Sequence, residues 1–173
     1  MARLTHEDFL EATIPTVDLV YNLARRMVRY PTLVEDVVQE TYVKAFEAWA
    51  SGRKPRKVEP WIATICLNVA RGYWRKASTR YEALSEDLPD QPSGDDVEAE
   101  ALSNVQREIV HRALWELPDE QRITITLMDI DGFTAREVAT ITGTPRGTVL
   151  SRAHRGRKQL ARLLEDRVRS HDT

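Results

Sequence analysis

An acidic stretch near the middle of the chain divides it into two parts that have to fold separately. Residues 85–96 contain five acids, two prolines and a glycine, and Leu88 is their only large apolar residue. So little apolar surface cannot offset the entropy lost when the backbone is ordered. We therefore predict a flexible acidic linker over residues 79–108, between one domain over residues 1–78 and another over residues 109–170.

The formal net charge of −2 averages three unlike segments. Residues 1–80 carry a net charge of +4, residues 81–110 carry −8, and residues 111–173 carry +2. Such asymmetry is typical of chains whose segments have different partners. The near-zero total therefore does not exclude a nucleic-acid partner.

Both predicted domains show the apolar spacing of helices and no sustained strand alternation. In the first domain, one apolar series runs along residues 17–30 and another follows Pro60. Between them lies a predicted core stripe of Val34, Val38, Tyr42, Ala45 and Trp49. Thr32 and Glu35 have the spacing of a capping box that would open this middle helix. The predicted fold class is all-α, with two small helical domains.

The second domain has residues that would begin and end two successive helices, as in a helix-turn-helix. A short helix is predicted after Thr134, and Gly143 is placed to end it. Thr144 and Pro145 then open a long helix as its N-cap and first helical residue. The predicted inward residues of that helix are Val149, Ala153, Gly156, Leu160 and Leu163.

Two basic segments indicate nucleic-acid binding. Residues 144–169 carry a net charge of +6, which favours phosphate contacts. The residues expected to face a major groove are Arg146, Thr148, Ser151, Arg152 and Arg155. The alternative for this helix is a solvated basic face.

The other basic segment, residues 50–80, carries +7. Trp61, Tyr73 and Trp74 lie among its cations, a combination that suits stacking on single-stranded bases. We expect Trp61, like Trp49, to be mainly core, and Trp74 to be the exposed tryptophan.

The residues do not favour an enzyme, a metal site or a membrane protein. The four histidines are scattered, and the seven glycines form no phosphate-binding loop. The single cysteine, Cys66, excludes an internal disulfide and is expected to be a small buried hydrophobe. No apolar run approaches the ~18 residues of a membrane span, and no leader pattern is seen. We expect no catalytic residue, no metal, no cofactor and no membrane insertion, and a cytoplasmic location.

Four segments in order resemble bacterial sigma factors of the extracytoplasmic-function branch. Glu35–Tyr42 resembles the helix that binds core RNA polymerase, and Trp61–Ala70 resembles the helix that follows it. Leu117–Arg122 and Gly147–Arg157 resemble the module that binds the promoter −35 element. The resemblance implies sigma region 2 in the first domain and sigma region 4 in the second.

The resemblance also implies roles for individual residues. The expected contacts to the clamp coiled coil of the polymerase's largest subunit are Asp36, Gln39 and Glu40. Binding of −10 DNA is expected from Arg53, Lys54, Arg56, Lys57, Asn68, Arg71, Trp74, Arg75 and Lys76. Contact with the −35 element is expected from Arg146, Ser151, Arg152 and Arg155, in agreement with the groove-facing prediction that also included Thr148. The flap of the second-largest subunit is a further expected polymerase contact.

Residues 143–157 resemble a disulfide-stress subgroup that carries Met where this chain has Leu150. That subgroup is usually held by a zinc-containing anti-sigma factor, so an anti-sigma partner is expected. The alternative function from another class is a self-sufficient dimeric helix-turn-helix regulator. An enzyme is the third possibility.

Overall fold

The computed structural model describes the backbone of residues 6–81 and 98–171, and the side chains of residues 6–76 and 104–170. Within these ranges the chain is helical and contains no β-strand, which confirms the all-α prediction. The helices are α1 (His6–Thr13), α2 (Val17–Met27), α3 (Val34–Ala50), α4 (Val58–Tyr81), α5 (Glu98–Trp115), α6 (Asp119–Ile125), α7 (Ala135–Thr142) and α8 (Arg146–His171). Residue proximity groups them into two compact units: Met1–Leu88 with Arg136–Gly143, and Pro89–Ala135 with Thr144–Thr173.

The first unit is built around the packing of α2, α3 and α4. Helix α2 buries one face because its apolar residues recur at helical spacing. Cys66 of α4 is fully buried among these helices, and its thiol lies 3.9 Å from the Val20 carbonyl oxygen. The prediction that Cys66 is a small core residue is confirmed. The other fully buried apolar residues of α2 and α4 are Leu23, Ala24, Met27, Ile62, Ala63, Leu67 and Ala70.

The buried stripe of α3 differs from the predicted one. Val37 and Thr41 are fully buried, whereas the predicted Val38 and Tyr42 are half-buried. Thr41 is tolerated in the core because its hydroxyl donates to the Val37 carbonyl oxygen at 2.6 Å. A threonine that satisfies its own hydroxyl packs as a small apolar residue, and this rotates the buried face by one position.

The predicted capping box at Thr32 is wrong. Thr32 lies inside a 3₁₀ turn, Pro31–Leu33, and α3 follows this turn with no side-chain cap at Leu33. Pro31 fixes its own φ in the helical range, so winding begins one residue before Thr32. The extended residue that an N-cap requires is therefore Tyr30, with φ −102° and ψ 117°.

The second unit is organised by the packing of α6 and α5 against α8. Leu114, Leu117 and Ile125 form a buried cluster, and Leu160 and Leu163 of α8 pack against it half-buried. Val149, Ala153 and Gly156 are buried on the same side of α8. These five α8 residues are the ones predicted to face inward, so that prediction is confirmed.

Helix α6 continues directly into a π turn over Thr126–Ile130. The Asp131 amide donates to the Thr126 carbonyl at 2.9 Å, the five-residue spacing that defines such a turn. Gly132, with φ +78°, then redirects the chain, and the Phe133 amide donates to the Leu127 carbonyl at 2.9 Å. The turn decides which way Asp129 points.

The connection between α7 and α8 has the predicted glycine stop. Helix α7 ends at Thr142, and Gly143 follows it with φ +65°, a conformation that favours glycine. Helix α8 begins one residue later than predicted. The Pro145 carbonyl accepts the Val149 amide at 3.1 Å, and the first residue of the helix is Arg146.

The helices on either side of the acidic stretch extend into the predicted linker. Helix α4 continues to Tyr81, and α5 begins at Glu98, so residues 98–108 are helical. Glu98, Ala99, Glu100 and Ala101 are good helix formers, and the acids suit a helix N-terminus. The acidic residues at 82–97 lie outside the described residues.

Candidate functional sites

The predicted polymerase-binding residues lie on the outer side of α3. Asp36 and Gln39 are exposed and Glu40 is partly exposed. The opposite side of the helix is held in the core by Val37 and Thr41. The packing that buries one side thus turns an acid, an amide and a second acid toward solvent.

Glu40 is fixed in place by neighbours on two helices. The Tyr73 hydroxyl of α4 hydrogen-bonds to Glu40, and the Lys44 ammonium lies 3.8 Å from its Oε1. The pKa of Tyr73 is raised, first by burial and then by this hydrogen bond and the charges of Glu40 and Asp36. A neutral Tyr73 therefore donates to Glu40 at neutral pH and links the outer surfaces of α3 and α4.

Two apolar residues on the same side of α3 were missed by the sequence analysis. Val43 is 56% exposed and Phe46 is 38% exposed. They follow Gln39 at spacings of four and seven residues, so they continue its face by about one and two turns. The Phe46 ring is supported by Phe9, with ring centroids 5.2 Å apart. The sequence could have indicated them, because both fall outside the predicted core stripe and neighbouring exposed apolar side chains can form a contact patch.

The predicted −10 residues of the basic loop are exposed. Arg53, Lys54, Arg56 and Lys57 lie between α3 and α4 and are all exposed, and Gly52 before them has φ +86°. The cations therefore project from a short loop that follows a tight turn.

Aromatic side chains underlie this loop. The Lys54 ammonium lies 5.3 Å from the centroid of the Trp49 ring, and the centroids of Trp49 and Trp61 are 6.2 Å apart. Trp49 is buried and Trp61 is half-buried, as expected for core tryptophans. Cation–π contact holds Lys54 close to the aromatic pair.

The predicted −10 residues of α4 divide into exposed and anchored side chains. Asn68, Arg75 and Lys76 are exposed and Arg71 is half-buried, at spacings that share one helix face. Trp74 differs from the prediction. It is half-buried, and its indole N–H donates to the Met27 carbonyl at the end of α2. Carbonyls in the last turn of a helix have no partner within that helix, which explains why the indole turns inward to this one.

The predicted −35 residues of α8 also divide. Ser151, Arg155 and Arg146 are exposed and Thr148 is half-buried. The Arg155 guanidinium donates to Ser151 Oγ at 3.1 Å, so these two side chains form one polar group on the outer face.

Arg152 is placed differently from its predicted neighbours. Its side chain is only 20% exposed, and its Nη1 lies 2.8 Å from Glu120 Oε2 of α6. Arg157 is more exposed, at 52%, but it also pairs with an acid, through a two-point contact to Asp129 at 2.7 and 2.9 Å. Spacing along α8 did not show this, because both acids come from a different part of the sequence.

The outer face of α8 carries two further side chains. Leu150 is 41% exposed, and His154 is exposed one turn later, beside Arg155. His154 follows Ser151 by three residues and Leu150 by four, and this helical spacing could have indicated a shared face. This face is therefore mixed in chemistry, with an aliphatic, a hydroxyl, an imidazole and a guanidinium group.

The described residues form neither a metal-binding cluster nor a membrane-spanning helix. Across residues 6–81 and 98–171, no group of three or more histidine, cysteine or acidic side chains is arranged to hold a metal ion. No helix in the same ranges combines the length and the apolar character needed to cross a bilayer.

Two family profiles match the chain. Sigma-70 region 2 matches residues 16–80, and Sigma-70 region 4 matches residues 107–160. Among curated relatives, the ECF RNA polymerase sigma factor SigE of Mycolicibacterium smegmatis is 35% identical over 146 residues, which is 83% of this chain and 56% of that protein. The ECF RNA polymerase sigma-E factor of Escherichia coli K12 is 31% identical over 153 residues, 79% of this chain and 76% of that protein.

Solved structures share the fold. The sigma factor RpoE of Bartonella quintana, in complex with the anti-sigma factor NepR, has a TM-score of 0.77 at 24% identity and covers 92% of this chain and 98% of that one. CnrH, in complex with the cytosolic domain of CnrY, has a TM-score of 0.68 at 24% identity, with coverages of 94% and 90%. Two family regions in the expected order, together with relatives above 30% identity, show that the chain belongs to the ECF RNA polymerase sigma factors of the sigma-70 family.

Proposed function

We propose that this chain binds core RNA polymerase and directs it to promoters by recognising −10 and −35 elements. The observation that carries the proposal is the presence of both sigma regions in one chain, matched to separate segments. Region 2 and region 4 together supply a polymerase-binding surface and two DNA-binding surfaces. The polymerase performs the chemistry, so the chain needs no catalytic group of its own.

The outer face of α3 is the proposed polymerase contact. Asp36, Gln39 and the anchored Glu40 offer acceptors, while Val43 and Phe46 offer apolar area beside them. A partner with basic and apolar side chains on a helical surface would complement this face. The clamp coiled coil of the polymerase's largest subunit is the proposed partner, with the flap of the second-largest subunit as a second contact.

The basic loop and α4 are the proposed −10 surface. The exposed cations at Arg53–Lys57 suit a phosphate backbone, and the nearby Trp49 and Trp61 rings are a hydrophobic support. Asn68 adds an exposed amide that can hydrogen-bond a base edge. This combination suits a strand whose bases are unstacked.

The outer face of α8 is the proposed −35 surface. Ser151, His154 and Arg155 lie together on it, and a helix of this size fits a major groove. We also propose control by an anti-sigma factor, which is supported by a structural relative, the sigma factor RpoE, that is bound to the anti-sigma factor NepR.

The proposal is tested by removing acceptors from α3. The double variant Asp36→Ala, Gln39→Ala should lose most of its binding to core RNA polymerase in a pull-down with the tagged chain. The matched control is Asp18→Ala, Asn22→Ala, which removes one exposed acid and one exposed amide from α2. Circular dichroism should show the same helicity for both variants.

Retention of polymerase by the α3 variant at wild-type level would refute the polymerase contact. Tight sequence-specific binding of duplex DNA by the isolated chain would instead support a self-sufficient regulator. The proposed sigma factor binds promoter DNA weakly alone and opens it only with core enzyme.

A further inference from the structure

Arg152 and Arg157 flank the buried seam of α8 on opposite sides. The seam is formed by Val149, Ala153 and Gly156. With about 100° of rotation per residue, Arg152 lies about 60° to one side of the Val149 direction and Arg157 about 80° to the other. Neither arginine points directly away from the core, where Ser151, His154 and Arg155 lie.

Each of these arginines pairs with an acid from the segment that α8 packs against. Glu120 lies in the first turn of α6 and reaches Arg152 at 2.8 Å. Asp129 lies in the π turn after α6 and holds Arg157 through both of its carboxylate oxygens. The hydrogen bond to Asp129 also raises the pKa of Arg157.

Between these two ion pairs Gly156 of α8 packs directly against Ile125 of α6. A Cβ built on Gly156 would lie 2.9 Å from Ile125 Cγ1, so α8 has no room to move toward α6. Leu160 and Leu163 hold the later turns of α8 in the core, whereas the small seam residues offer less resistance to rotation of its earlier turns about the helix axis. Ion pairs on both sides of the seam supply that resistance.

We propose that Arg152 and Arg157 are positioning residues that fix the rotation of α8, and that the DNA contacts come from the outward residues Ser151, His154 and Arg155. The proposal rests on the −35 function proposed above. A rotation of about 20° would move outward side-chain tips by about 2 Å, given a helix radius of about 5–6 Å with side chains. A shift of that size breaks hydrogen bonds, whose lengths vary by only a few tenths of an ångström.

The proposal assigns Arg152 a role different from the DNA contact expected from the resemblance. If Arg152 contacts DNA directly, its replacement by an acid should not be compensated by a substitution on α6. If Arg152 positions the helix, an acid can take its place provided that the acid on the other helix is replaced by an arginine. Exchange of the two charges therefore separates the two roles.

The experiment measures initiation by the full chain with core RNA polymerase, on matched templates with and without a −35 element. Glu120→Arg and Arg152→Glu should each reduce −35-dependent initiation by at least 10-fold. The exchange variant, with both substitutions, should recover to within about 3-fold of wild type. Arg155→Glu is the matched control on the outer face, and Glu120→Arg should not rescue it.

If the exchange variant initiates no better than Arg152→Glu while circular dichroism shows it folded, the positioning role is refuted. If it does not fold, the second pair decides, through Asp129→Arg, Arg157→Asp and their combination, by the same criteria. Single variants that keep full −35 dependence would also refute the proposal. A wild-type chain without −35-dependent initiation would refute the proposed function itself, which is a distinct result.

Discussion

Gly156→Ala is expected to weaken the second unit although alanine is the better helix former. The added Cβ would lie 2.9 Å from Ile125 Cγ1, 3.2 Å from its Cδ1 and 3.4 Å from Gln121 Cβ. Ile125 is buried in a cluster with Leu114 and Leu117 and has no open space to enter. Relieving the contact therefore requires α8 to move away from α6 or Ile125 to leave its rotamer.

The expected magnitude follows from two opposing terms. Alanine in a helix interior gains about 1 kcal/mol over glycine. Insertion of a methyl group into a packed interface costs about 1–3 kcal/mol. The net free energy of unfolding should thus fall by up to about 2 kcal/mol, with the loss confined to the second unit.

Gly147→Ala in the same helix is the control, because nothing lies within 4 Å of a Cβ at that position. It should be neutral or stabilising by up to about 1 kcal/mol. Urea unfolding followed by circular dichroism measures both variants, and amide hydrogen exchange in α6 and α8 locates the change. Equal stabilisation by the two substitutions would refute the close packing of α8 on α6.

Two further predictions concern buried or hydrogen-bonded polar groups. Arg122→Ala should destabilise the second unit by about 2–4 kcal/mol. The Arg122 guanidinium carbon lies 4.0 Å from the centroid of the Trp115 ring, and its Nη1 pairs with Asp119 at 2.8 Å, so both contacts would be lost. Calorimetry measures this loss, and an unchanged melting temperature would contradict it. Tyr73→Phe should show an alkaline effect. The raised pKa of Tyr73 means that the native state keeps the phenol proton longer than the unfolded state, so its contribution is complete below about pH 10 and is lost as pH rises through the native pKa. The stability advantage of wild type over Tyr73→Phe should shrink in urea titrations above about pH 10, and a constant difference would show that the phenol proton has no part in stability.

The sequence was sufficient to predict the structural features that depend on the spacing of nearby residues. Helical periodicity predicted the inward residues of α8, and glycine placement predicted the end of α7. The prediction for α3 was less accurate because Thr41 was treated as polar, although its hydroxyl is satisfied by its own helix. Hydropathy alone does not register this internal hydrogen bond.

The contact of Arg152 could not be predicted from the sequence, because it depends on tertiary structure. Its partner Glu120 lies on another helix, and only the packing of α6 on α8 brings the two charges together. Trp74 likewise turned inward to a carbonyl at the end of α2. Pairings between distant residues leave no periodic signal in a single sequence, so residue type and helix face were insufficient to predict them.

The π turn at Thr126–Ile130 has a consequence for length variation in this part of the chain. A π turn accommodates one residue more than a regular α-helix, so it is where a single insertion or deletion can be absorbed. Deletion of one residue within it would restore regular winding and change the direction of the positions inside the turn, whereas later positions would keep theirs. Asp129 would then lose its direction toward Arg157, and a change of one residue in length would disturb a helix that lies sixteen or more residues further along the chain.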